Sequence, residues 1–244
     1  MARCTEMGRD NPSGSRSGER ARVLQTALRY FQQQLGLGFE DIYAPPPPRS
    51  FFADRAERIG ELYHRIEGCT RCPLHKTRTH FVFGEGNPNA PIMFIGEAPG
   101  RDEDLRGRPF VGRAGQLLTK MLAAINFSRE EVFIGNILKC RPPNNRDPLP
   151  TEVQLCEPHL HAQLTIIQPR LICALGRIAA QTLLKVTTPL SRLRGQVHDY
   201  RGIGLVATYH PAALLRNPQL KRGAWEDLLL LRREHDKLLQ KDVR

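Results

Sequence analysis

Pro91-Ile92-Met93-Phe94-Ile95-Gly96, followed at once by Glu97-Ala98-Pro99-Gly100, decides the fold of this chain. A short apolar run without alternation, closed by glycine, has the pattern of a strand buried on both faces. Val132-Phe133-Ile134-Gly135-Asn136, Leu171-Ile172-Cys173-Ala174-Leu175-Gly176 and Gly204-Leu205-Val206-Ala207-Thr208-Tyr209 have the same form. Helical patterns at 114–125, 151–167 and 178–184 separate these runs, and another at 54–67 precedes them. The alternation predicts an α/β protein: a three-layer α/β/α domain with a central, mostly parallel four-stranded sheet. Ligands of such sheets bind beyond the carboxyl ends of the strands. That is where Gly96-Glu97-Ala98-Pro99-Gly100, Asn136 and His210-Pro211 fall, so these segments are expected to meet in one cleft.

Outside this core the chain is simpler. With 244 residues there is room for one sizeable α/β domain and an appendage. Residues 1–22 are polar and rich in Gly, Ser, Arg and Asn, which predicts disorder. Val23, Leu24, Ala27, Leu28, Phe31 and Leu35 then mark one amphipathic helix, and Ala44-Pro45-Pro46-Pro47-Pro48 reads as an extended polyproline linker. The expected division is an N-terminal extension over 1–50 and a catalytic domain over 51–244. The extension's helix can dock on the protein's own core, the favoured reading, or on a protein partner. No apolar run approaches the roughly 18 residues of a membrane span. The N-terminus lacks an export signal pattern, so no membrane association and a cytoplasmic location are expected.

Formal charge is +11, from 36 Lys and Arg against 25 Asp and Glu. Counterion release and long-range steering then favour a polyanionic partner, with nucleic acid the leading candidate. The six cysteines of a chain without an export signal point to metal ligation or burial rather than disulfides. Cys69-Thr70-Arg71-Cys72 is a C-x-x-C pair, with Cys140 after a strand and Cys156 inside a helical pattern. This split arrangement suits structural zinc less well than two C-x-x-C knuckles would, though zinc stays open. Cys173, in an apolar strand, is expected to be a buried small side chain, and Cys4 lies in the polar tail.

Four motifs carry a resemblance to a known family. Glu97-Ala98-Pro99-Gly100 with Glu103-Asp104, Gly107-Arg108-Pro109-Phe110-Val111-Gly112, Lys139-Cys140-Arg141-Pro142-Pro143-Asn144-Asn145-Arg146 and His210-Pro211-Ala212-Ala213-Leu214-Leu215-Arg216 occur in this order. They resemble the signatures of family 4 uracil-DNA glycosylases, the iron-sulfur branch, over about residues 66–239. The resemblance implies the uracil-DNA glycosylase fold and hydrolysis of the uracil N-glycosidic bond in single- or double-stranded DNA. An abasic site is left for base-excision repair, and the enzyme is expected to act as a monomer. It also implies a [4Fe-4S] cluster on Cys69, Cys72, Cys140 and Cys156. Cleaving this bond with water moves no electrons, so the cluster's expected role is to brace the 141–147 loop beside the DNA.

The same resemblance assigns roles. The target base must leave the duplex, at roughly a few kcal/mol, which a mispaired base reduces. Leu214 or Leu215 would fill the gap in the minor groove and Arg216 would meet phosphate. Phe110 offers a face on which the flipped base stacks. The Asn136 amide matches uracil N3–H and O4 and opposes cytosine. His210 is suited to the charge that develops on uracil O2, with backbone amides near Glu97 and Ala98 assisting. Relatives from another branch carry an aspartate where this chain has Ala98, so the carboxylate that activates water comes from elsewhere. Glu97 is the first choice, Glu103 the second, with Asn145 positioning the water. Glu103 could instead exclude thymine near C5, and Asp104 is read as structural, binding the turn's own amides.

Two rival functions compete with this reading. One is a branch trapped covalently on its product through a histidine in a basic loop, but Arg141-Pro142-Pro143-Asn144-Asn145-Arg146-Asp147-Pro148 has no histidine. The other is a non-catalytic iron-sulfur protein that binds uracil-containing DNA.

Overall fold

The four expected strands lie side by side and parallel in a computed structural model that describes residues 53–242. All of these residues belong to the unit Phe52–Arg244. The expected helix from Val23 and the polyproline linker lie outside the described residues. The sheet has six strands: β1 Glu85–Gly86, β2 Ile92–Gly96, β3 Phe133–Asn136, β4 Leu171–Leu175, β5 Val197–Tyr200 and β6 Ile203–Thr208. Their order is β1-β3-β2-β4-β6-β5. The four apolar runs form its parallel centre, and β1 and β5 add antiparallel edges that the apolar pattern could not announce. β1 has only two residues, and β5 is mostly solvated, as edge strands commonly are.

Every residue of β2, β3 and β4 is buried. Because successive side chains of a strand point to opposite faces, the apolar runs supply two cores at once. Met93, Ile95, Phe133, Ile172, Ala174, Leu205 and Ala207 serve one. Ile92, Phe94, Ile134, Leu171, Cys173, Leu175 and Val206 serve the other.

Helices cover both faces, which completes the three layers. On the first core sit α1 (Ala53–Ile66), through Leu62 and Ile66, and α4 (Pro150–Ile167), through Cys156, Leu160, Leu164 and Ile167. Pro150 opens α4 at a position where its missing N–H costs nothing, and Glu152 turns back to accept from the Leu149 amide at 2.8 Å. Arg55 of α1 caps the other end of α4 by donating to Ile167 O at 2.9 Å. α5 (Arg177–Leu184) also packs here, through Ala179, Ala180 and Leu183. The second core is closed by α3 (Arg113–Ala124), through Leu118, Met121 and Leu122, and by α8 (Lys221–Asp242), through Ala224, Leu228 and Leu231. The short α6 (Leu190–Leu193) and α7 (Pro211–Arg216) flank β6 in sequence.

Two of the motif segments are helical. Arg101–Arg106 forms α2, capped by the left-handed Gly107, and His210-Pro211 opens α7. Asp104 of α2 is 3% exposed and binds across the fold rather than within its own turn. It accepts from the Thr79 amide at 2.8 Å, Thr79 Oγ1 at 2.9 Å and the His80 amide at 3.4 Å. These bonds fasten α2, and with it the cleft wall, to the segment before β1.

Asp104→Ala leaves the Thr79 amide and hydroxyl without their acceptor. It is expected to destabilise the domain by about 3 kcal/mol, the scale of a lost charged hydrogen-bond set, measured by urea unfolding against wild type.

Candidate active site

The chain leaves β2 for β3 on one side and returns through α4 to β4 on the other, so its connections diverge next to β2. A crevice must open at the carboxyl ends there. It does, with a volume of about 560 Å³, lined by Glu97, Ala98, Phe110, Asn136, Asn145, Tyr209, His210 and Arg216 among others. The structure therefore brings the strand-end motifs into one cleft.

Asn136, the last residue of β3, forms part of its lining and is 2% exposed. Its Oδ1 is buried without a hydrogen-bond partner. An orphaned acceptor of this kind costs about 1–3 kcal/mol unless a ligand satisfies it. Gly96 makes room for it: a Cβ there would stand 2.4 Å from Asn136 Oδ1 and 2.6 Å from Phe110 Cζ. The Phe110 ring is brought in by an unusual backbone, φ 51, that a bulky residue rarely adopts. Two features hold that turn. Gly115 of α3 admits it, since a Cβ would fall 1.8 Å from Phe110 O. Arg129 donates to Pro109 O at 2.9 Å and Phe110 O at 3.2 Å, and pairs with Glu85.

Opposite stands His210, whose ring lies 5.6 Å from that of Phe110 at a 33° tilt. His210 caps α7, its Nδ1 accepting from the Ala212 amide at 3.1 Å. Burial, aided by the positive charge of Arg216, pushes its imidazolium down to about 4. The ring is thus neutral near pH 7, and with Nδ1 an acceptor its proton sits on Nε2. Gly176, at φ +95, lets β4 end against it: a Cβ would lie 3.0 Å from His210 Cβ.

The two leucines of this motif have separate fates. One turn of helix after Pro211, Leu214 is 2% exposed and packs in the second core. Leu215 is 47% exposed, and Arg216 is exposed at the cleft. Of the two expected wedge candidates, Leu214 is a core residue, because helical geometry turns 211 and 214 to the same side.

The acidic residues also divide. Burial first, then the negative charge of Asp147, push the Glu97 carboxyl up to about 7, while Arg177 pulls the other way. Glu103 faces the backbone: it accepts from the Val111 and Gly112 amides at 2.9 Å each and from Gly100 at 3.2 Å. Asn145 lines the cleft in the left-handed region, and its Oδ1 accepts from Arg141 Nε at 2.7 Å. Its loop is pinned by Arg146, which donates to both oxygens of the buried Glu152 at 2.9 and 2.6 Å. Ala98 lines the wall and packs on the first core. Asp147, Arg177 and Tyr209 line the cleft although no motif singled them out. Arg177 donates to Asp147 at 2.9 Å across 30 positions of sequence, a juxtaposition invisible before folding.

Cys69, Cys72, Cys140 and Cys156 are free thiols on the first face. Burial pushes the Cys140 thiol up against the pull of the Arg78 guanidinium, and pushes Cys156 up to about 11 against the pull of Lys139, with the neighbouring cysteine sulfurs adding to both. N–H groups converge on the sulfurs. Arg78 Nη1 donates to Cys140 Sγ at 3.2 Å, the Lys139 amide lies 3.3 Å from Cys156 Sγ, and His159 Nε2 is 3.2 Å from Cys69 Sγ. Among the described residues, no three His, Cys, Asp or Glu side chains close around a point that would hold a single ion. Four thiols, two of them with N–H donors and a third beside an imidazole nitrogen, match the donor set of a thiolate-held cluster. Cys173 is fully buried in β4, as expected.

Comparison with known proteins agrees with this geometry. The family described as "Uracil DNA glycosylase superfamily" matches residues 83–229. A type-4 uracil-DNA glycosylase of Archaeoglobus fulgidus is 51% identical over 173 residues, 68% of this chain and 87% of that protein. Type-4 uracil-DNA glycosylases of Pyrobaculum aerophilum and Thermotoga maritima are each 46% identical, over 70% and 71% of this chain and 92% and 93% of their own length.

The two leucines give a direct check on placement. Leu214→Ala is expected to cost about 2–5 kcal/mol in urea unfolding, whereas Leu215→Ala should change stability by less than about 0.5 kcal/mol.

Proposed function

We propose, from the premise that this chain belongs to the uracil DNA glycosylase superfamily and within it to the type-4 enzymes, that it flips uracil out of DNA and hydrolyses its N-glycosidic bond. The product is an abasic site for base-excision repair, and its cytoplasmic location and monomeric state belong to the same reading. The observation that carries it is the orphaned Asn136 Oδ1 in a cleft that Phe110 and a neutral His210 also line.

The residues divide the work as follows. Leu215 enters the gap left by the extruded nucleotide, and Arg216 meets phosphate. The base stacks on Phe110, and Asn136 Oδ1 accepts the uracil N3–H while the amide nitrogen faces O4. Cytosine presents an acceptor at N3, so both lone pairs would collide. As the bond to the sugar lengthens, negative charge gathers on uracil O2. His210 Nε2–H meets it as a neutral donor, which loses no proton at neutral pH. Ionised Glu97 orients the attacking water and balances the positive sugar, with Asn145 positioning the water. Glu103 holds the Val111–Gly112 turn through two amide bonds and Gly100 through a third, and so supports Phe110 rather than the water.

Cys69, Cys72, Cys140 and Cys156 would hold a [4Fe-4S] cluster that ties three distant segments together and supplies no chemistry to the bond cleaved. Two buried and two half-buried thiols on one face, with N–H donors at Cys140 and Cys156, support this. Cys156→Ser is expected to lose the visible absorbance and bound iron and to melt well below wild type, read by iron analysis and thermal unfolding.

The reaction is tested by incubating the protein with a uracil-containing oligonucleotide, then cleaving abasic sites with alkali; an intact strand refutes the reading. A base must be ionised to act, so kcat/KM should climb as pH rises through about 7 and level off above. Glu97→Gln should lower kcat by about 10²–10⁴-fold and erase that limb.

A further inference from the structure

Behind Asn136 lies a lysine that the mechanism does not use. Lys139 is 0% exposed. Its Nζ donates to the backbone oxygen of Asn136 at 2.9 Å and to Gln163 Oε1 at 2.6 Å. Gln163, itself 0% exposed, donates onward to Phe83 O at 2.9 Å. The ammonium is therefore held by α4 on one side and grips the end of β3 on the other. Burying a lysine costs desolvation and rotamer freedom, so its bonds must be well made.

What the ammonium grips is the peptide from which the Asn136 side chain hangs. The carbonyl of that peptide accepts from Lys139, and its N–H, from Ile137, donates to Gly96 O at 2.9 Å. Both ends of that peptide are fixed, so the Asn136 side chain starts from a set backbone position. A reading group must be held within about 0.5 Å of its working geometry. The same lysine reaches the cysteines through its backbone. Its amide lies 3.3 Å from Cys156 Sγ, and Cys140 is the next residue. Cys156 and Gln163 lie on one face of α4, two turns apart, so one helix carries both the sulfur and the group that orients the ammonium.

We infer that Lys139 is a positioning residue that couples the four-cysteine centre to the base-reading amide of Asn136, so that the centre supports uracil recognition as well as the loop beside the DNA. The inference rests on the glycosylase reading above and deepens it. Through this link, a shift of Cys140 or Cys156 moves the Asn136 peptide, and with it the discrimination between uracil and cytosine.

The test uses the full chain with its iron retained and compares wild type, Lys139→Met, Gln163→Met, Asn136→Ala and the Lys139→Met/Asn136→Ala double variant. Visible absorbance and iron content report the centre. Binding is measured to a duplex carrying one 2′-fluoro-2′-deoxyuridine, which resists cleavage, against the same duplex with 2′-fluoro-2′-deoxycytidine. Lys139→Met should keep its iron, since the backbone amide to Cys156 remains, and should lower the uracil-over-cytosine preference about tenfold. Gln163→Met should lower it in the same direction and by less. In the Asn136→Ala background the lysine substitution should change the preference by less than about twofold, because the group it positions is gone. An iron-loaded Lys139→Met with wild-type preference overturns the inference, and so does a loss of preference that persists undiminished without Asn136. Loss of iron from Lys139→Met overturns it too, for the side chain would then serve the centre itself. A wild-type protein that leaves uracil in place refutes the glycosylase reading instead, and the two failures are thereby distinguished.

Discussion

Parallel pairing of β2 on both of its sides is the constraint from which the rest follows. β2 bonds to β3 through Met93 to Gly96 and to β4 through Ile92 to Ile95, and it is buried on both faces. A strand so enclosed can contribute function only at its end, because every other side chain is committed to a core. The connections diverge around that end, and the cleft opens in the gap between them. Glu97, Asn136, Gly176 and His210 arrive there from four adjacent strands as a direct result.

The cleft is shaped as much by missing side chains as by present ones. Gly96 and Gly115 admit Asn136 and Phe110 at separations that a methyl group would forbid, and Gly176 turns where an L side chain would be strained. Burial then sets the chemistry. It raises the carboxyl of Glu97 to about 7 and depresses the imidazolium of His210 to about 4, so one desolvated cavity holds a carboxyl that titrates near neutrality and an uncharged histidine. Asp104, Glu103 and Glu152 are tied instead to backbone amides or to arginine.

The cysteines work at a distance from the cleft and share its supports. α4 carries Cys156, and its Glu152 anchors Arg146 of the cleft loop while its Gln163 orients Lys139 behind Asn136. One helix therefore bears on the sulfurs, the loop and Asn136.

Much of this was legible in the chain itself. The four apolar runs announced the parallel strands because a strand buried on both faces must be apolar throughout, and the strand-end motifs marked the cleft because little else tolerates such residues beside a core. The edge strands were not legible, since two residues at Glu85–Gly86 and the polar Val197–Tyr200 carry no such pattern. Nor could sequence separate Leu214 from Leu215, or do more than rank Glu97 ahead of Glu103. Adjacent leucines look alike until helical rotation sends one inward, and two carboxylates look alike until one is desolvated and the other meets three amides. Sequence by itself determined which segments become strands and which residues gather at their ends, because burial dictates composition locally. Only the tertiary structure decided which gathered residue is buried, which is exposed and which is already bonded, because those depend on neighbours remote in the chain, such as Arg177 with Asp147 and Lys139 with Gln163.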